Sequence, residues 1–85
     1  MIYTVIFKPS VAKQLRRINN KEQKKIVAAA ENLASEPRPH GYKKLVGGEG
    51  FYRIVIGDYR IIYEIDDDVL IVSVLRVAKR NERTY

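Results

Sequence analysis

The sequence predicts a small α+β domain with the element order β-α-α-β-β-β, an antiparallel four-stranded sheet and a helical hairpin on one of its faces. A short β-rich segment begins the chain, and two segments with apolar residues at helical spacing follow it. Residues 51–77 then contain three runs in which side chains alternate between two faces as in β-strands, and turn residues separate these runs. With 85 residues, the chain is expected to form one domain, residues 1–85.

The first strand is predicted at Ile2–Phe7, which is rich in β-branched and aromatic residues. Pro9 ends this strand and opens a helix, because a first helical turn does not need the N–H that proline lacks. Val11, Leu15 and Ile18 recur at helical spacing and form the apolar stripe of this first helix.

The second helix is predicted to begin at Asn20, which forms a capping-box pattern with Gln23. It runs to about Ser35, because Pro37 and Pro39 prevent its continuation. Its buried stripe comprises Ile26, Ala29, Ala30 and Leu33. The two helices bring the chain back, so the next strand is expected to run antiparallel to the first.

A β-hairpin is predicted from Phe51–Ile56 and Tyr59–Ile65, joined at Gly57-Asp58. The core face of this hairpin pairs Ile56 with Tyr59, Ile54 with Ile61 and Tyr52 with Tyr63. The other face pairs Val55 with Arg60, Arg53 with Ile62 and Phe51 with Glu64. One face is therefore apolar, and the other is partly apolar and carries two arginines.

The third strand of this meander is predicted at Val69–Val77, after a loop formed by Asp66, Asp67 and Asp68. Ile65 then pairs with Val69, and a two-residue loop would instead exchange the two faces. The predicted core face comprises Val69, Ile71, Ser73, Leu75 and Val77, and the other face comprises Leu70, Val72, Val74, Arg76 and, with continued extension, Arg80. An uncovered sheet face with Arg53, Arg60, Arg76 and Arg80 is a groove for an anionic ligand.

The composition favours a globular, basic protein. Hydrophobic residues make up 46% of the chain, and 16 Lys and Arg residues against 10 Asp and Glu residues leave a formal net charge of +6. Such a charge on a small domain favours a polyanionic partner, nucleic acid or an acidic protein. No apolar run approaches the roughly 20 residues of a membrane span, and the first residues do not resemble a signal peptide, so a cytoplasmic location is expected.

Several kinds of catalytic site are disfavoured. The chain has no cysteine, and its one histidine, His40, lies in a predicted loop. Adjacent aspartates at Asp66–Asp68 cannot all point at one cation, and Gly47-Gly48 is not followed by a helix as a phosphate loop would be. We therefore expect no metal ion and no cofactor.

The tail Arg76–Tyr85 contains four cations and one anion and ends in an aromatic residue. Guanidinium groups pair bidentately with phosphate, and aromatic rings stack on bases. The tail therefore favours nucleic-acid binding.

The segments Lys43–Gly47 (K-K-L-x-G) and Tyr52–Ile65 (Y-R-I-x-x-G-D-Y-R-I-I-Y-E-I), followed by a hydrophobic strand and the basic tail, resemble the RelE/ParE toxin superfamily. The resemblance covers essentially all 85 residues. It implies a toxin of a bacterial type II toxin–antitoxin pair, bound and inactivated by a cognate, RelB-like antitoxin.

RelE-like members of that superfamily are endoribonucleases that enter the ribosomal A site and cut mRNA. The 2′-hydroxyl attacks the neighbouring phosphate and leaves a cyclic phosphate and a 5′-hydroxyl. The resemblance implies catalytic roles for Arg53, Arg60, Arg80 and Tyr85. We further expect Lys43, Lys44, Arg76 and Arg83 to bind RNA.

Two positions depart from the family pattern. Val55 stands where a second basic residue is often found, and Lys79 stands where many relatives carry histidine. Lys79 is the predicted general base, and Lys43 and Lys44 are the other titrating groups. Lys79 reaches the open face only if the third strand of the meander stops near Val77. These departures keep two alternatives open: a ParE-like toxin that inhibits DNA gyrase without cutting RNA, and a basic nucleic-acid-binding module.

Overall fold

The computed structural model of the chain describes residues 2–45 and 50–79. The elements in chain order are β1 (Thr4–Phe7), α1 (Pro9–Arg16), α2 (Asn20–Asn32), β2 (Lys43–Lys44), β3 (Phe51–Ile56), β4 (Tyr59–Asp66) and β5 (Ile71–Lys79). The strands form one sheet in the order β1-β5-β4-β3-β2. Both helices pack on the same face of this sheet, where their apolar stripes and the inward residues of the strands form one core.

The sheet is mixed and five-stranded, so the prediction of an antiparallel four-stranded sheet is wrong in these details. β1 pairs with β5 in parallel, and all other neighbours are antiparallel. The cause is β2, which lies in the segment predicted to be a loop. β2 is the strand that runs antiparallel to β1, and this additional reversal leaves β3 and β5 in the direction of β1.

The predicted hairpin between β3 and β4 is confirmed residue by residue, from Ile56 opposite Tyr59 to Phe51 opposite Glu64. Gly57 adopts a φ of +57° at the turn, a conformation that glycine takes without steric cost. Ile54, Ile61 and Tyr63 are buried on the core face.

The predicted pairing of Ile65 with Val69 is wrong, because the turn before β5 contains four residues instead of three. Ile65 pairs with Val72, and Asp66 pairs with Ile71. The carboxylate of Asp66 accepts hydrogen bonds from the N–H groups of Asp68 and Val69, at 3.0 and 3.3 Å, which stabilises this longer turn. Leu70 completes the turn with a φ of +56°.

This longer turn reverses the predicted faces for the first half of β5. Val72 and Val74 lie in the core, and Ile71 and Ser73 occupy the opposite face. A register shift between Ile62 and Tyr63 then places one extra residue, Leu75, in β5. The bulge restores the predicted faces beyond it, with Arg76 opposite Ile62 and Val77 opposite Ile61.

The predicted stripe of α2 is confirmed, because Ile26, Ala30 and Leu33 are buried. The predicted cap is displaced by one residue: Asn19 is the N-cap, and its side chain accepts the N–H of Glu22 at 3.0 Å. α2 ends at Asn32, and turns follow where the helix was expected to continue to Ser35. Within the described residues, neither helix is long and apolar enough to cross a membrane.

An aromatic clamp closes the helix-side face at the end of the sheet near the turn before β5. We define it as Tyr3, Arg38, Tyr52, Tyr63 and Asp67. Asp67 accepts a hydrogen bond from the Tyr3 hydroxyl at 2.6 Å and pairs with the guanidinium of Arg38 at 2.9 Å. These two hydrogen bonds, that from Arg38 being the stronger, lower the pKa of Asp67 below its ordinary value.

The ring stack of the clamp connects the sheet to the loop after α2. Arg38 lies over the Tyr52 ring, with its guanidinium carbon 5.5 Å from the ring centroid. Tyr52 stacks on Tyr63 with 5.9 Å between ring centroids, and the Tyr63 hydroxyl donates to the carbonyl of Pro37 at 2.7 Å. Burial raises the pKa of Tyr63 to about 12. The clamp therefore holds the loop after α2 to the sheet through hydrogen bonds and an ion pair in which each polar group has a partner.

Candidate nucleic-acid interface

The open face is the side of the sheet that neither helix covers. Strand register assigns to it Thr4 and Ile6 of β1, Lys43 of β2, Phe51, Arg53 and Val55 of β3, Arg60, Ile62, Glu64 and Asp66 of β4, and Ile71, Ser73, Arg76 and Ala78 of β5. The expectation that Arg53, Arg60 and Arg76 share one face is thus confirmed.

The centre of the open face is a row of four residues, one from each of four neighbouring strands. Lys43 pairs with Arg53, Arg53 with Ile62, and Ile62 with Arg76. With strands spaced by about 4.8 Å, the row is about 14 Å long. Three cations therefore lie in line across the sheet, with one isoleucine between two of them. We call these residues the basic row.

Arg60 lies beside the basic row. It pairs with Val55 on β3 and with Ala78 on β5. Positions two residues apart along a strand lie about 6.6 Å apart on the same face, so Arg60 is a near neighbour of Ile62. The guanidinium groups of Arg53, Arg60 and Arg76 thus project from adjacent positions around Ile62.

The floor between these cations is apolar and little exposed to solvent, although neither described helix covers it. Ile62 is 6% exposed and Ala78 is 5% exposed. Arg53 and Arg76, the partners of Ile62 across the strands, are half-buried. Long cationic side chains commonly bury their aliphatic stems against apolar neighbours and keep the charged head at the surface. The open face therefore has an apolar floor and cationic side chains around it.

One carboxylate adjoins the basic row. Glu64 is exposed on the open face, opposite Phe51 on β3 and Ser73 on β5. Arg53 is its diagonal neighbour, at a typical separation of about 7–8 Å. The sequence parity had placed Glu64 on this face without giving it a role. The signal that identifies it is its position two residues after Ile62 in β4.

Two predicted site residues lie on the opposite side of the sheet. β5 continues to Lys79, which pairs with Tyr59, and Tyr59 packs against the core. The condition for Lys79 to act beside the arginines, a strand that stops near Val77, is therefore not met. Lys44 pairs with Tyr52 and likewise lies on the helix side. Both side chains are exposed, but the register separates them from the basic row.

Some of the remaining residues singled out in the sequence have a visible place in the fold, and the others lie outside the described residues. Asp66 and Asp67 are engaged in the turn and the clamp, and His40 is exposed in its loop. Residues 2–45 and 50–79 contain no group of three or more acidic or histidine side chains arranged for a metal ion. The tail residues Arg80, Arg83 and Tyr85, and the predicted turn Gly47-Gly48, lie outside the described residues.

Comparison with known proteins gives matches of two kinds. A family model described as the ParE toxin of the type II toxin–antitoxin system, parDE, matches residues 5–84. A search of curated proteins finds no match. Solved structures with the same fold include toxins named RelE, in complexes and alone.

A chain of the RelBE2 toxin–antitoxin complex from Mycobacterium tuberculosis is 30% identical, with a TM-score of 0.83 over 94% of this chain and 100% of that chain. The archaeal RelE–RelB complex from Pyrococcus horikoshii OT3 gives 26% identity and a TM-score of 0.85 over 96% of this chain and 99% of that chain. The isolated RelE toxin from E. coli gives 25% identity and a TM-score of 0.78, with coverages of 96% and 87%. The chain belongs to the RelE/ParE superfamily of type II toxin–antitoxin toxins.

Proposed function

We propose that this toxin is a ribosome-dependent endoribonuclease that cuts mRNA in the A site and thereby inhibits translation. The observation that carries the proposal is the basic row, Lys43, Arg53 and Arg76 in line across four strands, with Arg60 beside it. A row of about 14 Å can contact two successive phosphates of an extended RNA strand. Such a strand would lie along the open face.

The reaction needs charge stabilisation more than an unusual chemical group. The 2′-oxygen of one nucleotide attacks the adjacent phosphorus, and the bond from phosphorus to the 5′-oxygen breaks. The products are a 2′,3′-cyclic phosphate and a 5′-hydroxyl, because the departing 5′-oxygen keeps the bonding electron pair and takes a proton from water. The pentacoordinate transition state carries more charge on its phosphoryl oxygens than the substrate does. Arg53 and Arg60 would stabilise that charge by paired N–H donors.

The apolar floor strengthens this effect. Ile62 and Ala78, which are little exposed to solvent, would keep water away from one side of an RNA bound between the arginines. Charges interact more strongly where water is excluded, because the effective dielectric constant is lower. Positioning contributes as well, since an RNA held on both sides of the cleaved bond loses little further freedom at the transition state.

The proton of the 2′-hydroxyl needs an acceptor, and arginine is a poor one because it remains protonated. We assign this role to Glu64, the exposed carboxylate beside the basic row. A positioned general base typically contributes about 100- to 10,000-fold to a rate. Glu64→Gln keeps the shape of the side chain and removes the acceptor, so we expect its cleavage rate to fall about 100-fold or more. A rate unchanged from wild type would remove Glu64 from the mechanism.

A second candidate function is inhibition of DNA gyrase without RNA cleavage. It is favoured by the family model, which describes ParE toxins. It is also favoured by Val55, an exposed apolar residue at a position where RelE-like toxins often have a basic residue. The solved structures at 26–30% identity are RelE complexes, which favours the nuclease.

The partner that controls the toxin is proposed to be an antitoxin of the RelB type, because RelB is the named partner in similar complexes. An extended segment of the antitoxin would fold onto the toxin and cover part of the open face. Hydrogen exchange of the complex should then show protection at 52–60. Unprotected amides there would mean that the antitoxin acts from another surface.

One experiment separates the two candidate functions. The toxin is added to cell-free translation, and the 3′ ends of the mRNA are mapped; in parallel, gyrase supercoiling is measured. We expect cuts within ribosome-occupied codons and unchanged supercoiling. Intact mRNA together with blocked supercoiling would support the gyrase inhibitor instead. Arg53→Ala, which changes the basic row alone, is the control for contaminating nuclease.

A further inference from the structure

The last part of β5 continues past the end of β1. β1 ends at Phe7, which pairs with Val74, and the N–H of Lys8 donates to the Val74 carbonyl at 3.1 Å. β5 itself runs on to Lys79. From Leu75 onward, the side of β5 that faced β1 therefore has no strand beside it among the described residues. The backbone N–H groups on that side need other acceptors.

One such N–H group has a side-chain acceptor. The N–H of Val77 donates to the Oε1 atom of Gln14 at 2.9 Å. Gln14 is a half-buried residue of α1, between the buried Val11 and Leu15 on the side of the helix that faces the sheet. A polar amide at such a position costs free energy unless it is hydrogen-bonded. The bond to Val77 offsets that cost and ties α1 to β5.

The bulge determines which residue of β5 presents its N–H group to Gln14. The N–H groups of a strand point alternately to its two sides, and its side chains alternate between the two faces. Val74 faces β1, so Arg76 would be the next residue to face that side in a regular strand. The extra residue Leu75 gives this place to Val77. The acceptor on Gln14 therefore matches the bulged form of β5, in which Val77 is buried and Arg76 lies on the open face.

The place of the Arg76 guanidinium depends closely on the backbone beneath it. The Nε atom of Arg76 is buried, and the residue across from it on β4 is Ile62, which is itself buried. A long side chain in solvent can correct a small displacement by changing its χ angles, but one that is buried as far as Nε has few other rotamers available. A displacement of Val77, the next residue, would therefore move the guanidinium within the basic row.

We propose that Gln14 is a positioning residue of the basic row. By accepting the N–H of Val77, it holds the bulged part of β5 and thereby keeps the guanidinium of Arg76 where it can contact a phosphate. That the phosphate belongs to a single strand of RNA rests on the proposed function. Gln14 lies on the helix side of the sheet, so it acts on RNA binding only through Arg76.

The test removes the acceptor and then restores it. Gln14→Met keeps an unbranched side chain and a good helix former, but it lacks the oxygen. Gln14→Glu keeps an oxygen at the same position and lowers the net charge by one, so its reference is Lys13→Gln, which makes the same charge change at an exposed position of α1. Asn19→Ala, which removes the cap of α2, is the control for a general loss of stability.

Affinity for a single-stranded RNA is measured per folded molecule. We expect Gln14→Met to weaken binding roughly tenfold, the cost of about one phosphate contact. Gln14→Glu should bind as Lys13→Gln does, and Asn19→Ala should bind as the wild type does although its melting temperature falls. Wild-type affinity of Gln14→Met would overturn the proposal, and so would an equal loss of affinity in Asn19→Ala.

Coupling with Arg76 distinguishes positioning from other effects. When Arg76→Ala is already present, Gln14→Met should weaken binding by less than about twofold further, because the side chain through which Gln14 acts is absent. A further tenfold loss would mean that Gln14 acts through another part of the protein and would overturn the proposal. Wild-type affinity of Arg76→Ala alone would overturn it as well.

Hydrogen exchange of the wild-type protein tests the contact without any variant. The amide of Val77 should exchange slowly, because its N–H is bound to Gln14 in a partly buried position. An amide of Val77 that exchanges as fast as an exposed one would contradict the proposal, whether or not Gln14→Met folds.

The result can be separated from cleavage. If the wild-type protein cuts no mRNA, but Gln14→Met and Arg76→Ala are coupled in RNA binding, the nuclease proposal fails and the role of Gln14 stands. If mRNA is cut and Gln14→Met binds RNA as the wild type does, the reverse holds.

Discussion

The aromatic clamp and the open face both contain arginine, but they use it differently. In the clamp, Arg38 pairs with Asp67 at 2.9 Å and lies over the ring of Tyr52. On the open face, Arg53 makes no hydrogen bond or ion pair through its side chain within the described residues. A cation whose partners belong to the fold stabilises the fold. A cation next to an apolar floor and without such a partner is available to a ligand.

This comparison predicts that the two arginines can be separated by experiment. Arg53→Ala should lower the rate of mRNA cleavage about 100- to 1000-fold, the usual loss when one group that stabilises transition-state charge is removed. Its melting temperature should fall only slightly, because Arg53 contributes no more than the packing of its aliphatic stem to the fold.

Arg38→Ala is the counterpart, and it should lower the melting temperature, because Asp67 loses its ion pair and Tyr52 its cation. Cleavage per folded molecule should remain near the wild-type rate. If Arg38→Ala lost cleavage while keeping its melting temperature, the division between the two regions would be wrong.

The clamp's own strength is tested at Tyr63, whose hydroxyl donates to the Pro37 carbonyl in a buried position. Tyr63→Phe keeps the ring stack with Tyr52 and leaves that carbonyl without its donor. Such a loss typically costs about 1–3 kcal/mol, which urea unfolding would measure as a lower midpoint with an unchanged slope. A midpoint equal to that of the wild type would mean that the hydroxyl contributes no net stability.

The role of the open face in RNA binding can be tested with two adjacent lysines of β2, which the register places on opposite sides of the sheet. Lys43 pairs with Arg53 in the basic row, and Lys44 pairs with Tyr52 on the helix side. Lys43→Ala should weaken binding of single-stranded RNA roughly tenfold, the cost of about one phosphate contact. Lys44→Ala, with the same change in charge, should bind nearly as well as the wild type. Equal losses in the two variants would show that net charge, and not the face, governs binding.

The smallest predicted effect is the response of the clamp to acid. The hydrogen bonds from Arg38 and Tyr3 lower the pKa of Asp67 in the folded protein. Asp67 therefore contributes stability when the pH is above its pKa in the unfolded chain, about 3.9. That contribution decreases as the pH falls toward the lower, folded pKa. Asp67→Asn should therefore flatten the acid side of the stability profile, whereas Asp68→Asn, at an exposed neighbouring position, should not. An unchanged acid limb in Asp67→Asn would contradict this linkage.

Local sequence patterns predicted the β3–β4 hairpin because its alternation and Gly57 fix the register without help from the rest of the chain. They did not predict the turn before β5, whose length depends on the Asp66 carboxylate and on a positive φ at Leu70. The two errors at β5 had opposite effects. The longer turn reversed the faces and the bulge at Leu75 restored them, so Arg76 lies on the expected face.

Other features lie beyond the reach of local patterns. A two-residue strand such as Lys43–Lys44 has no periodicity, and its pairing with Arg53 appears only in the assembled sheet. The parallel contact between β1 and β5 depends on strand order, which alternation does not encode. Lys79 was assigned from its place in the chain, but continued pairing with β4 puts it on the other side from Arg60.

The most direct test of the account uses a purified ribosome complex with a defined codon in the A site. Two mRNAs are compared, one all-RNA and one with a single 2′-deoxynucleotide at the cleaved position. The account predicts that the wild-type toxin cuts the first and leaves a 2′,3′-cyclic phosphate, that it leaves the second intact, and that Arg53→Ala cuts neither at an appreciable rate. Cleavage of the deoxy-substituted mRNA, or wild-type cleavage by Arg53→Ala, would contradict it.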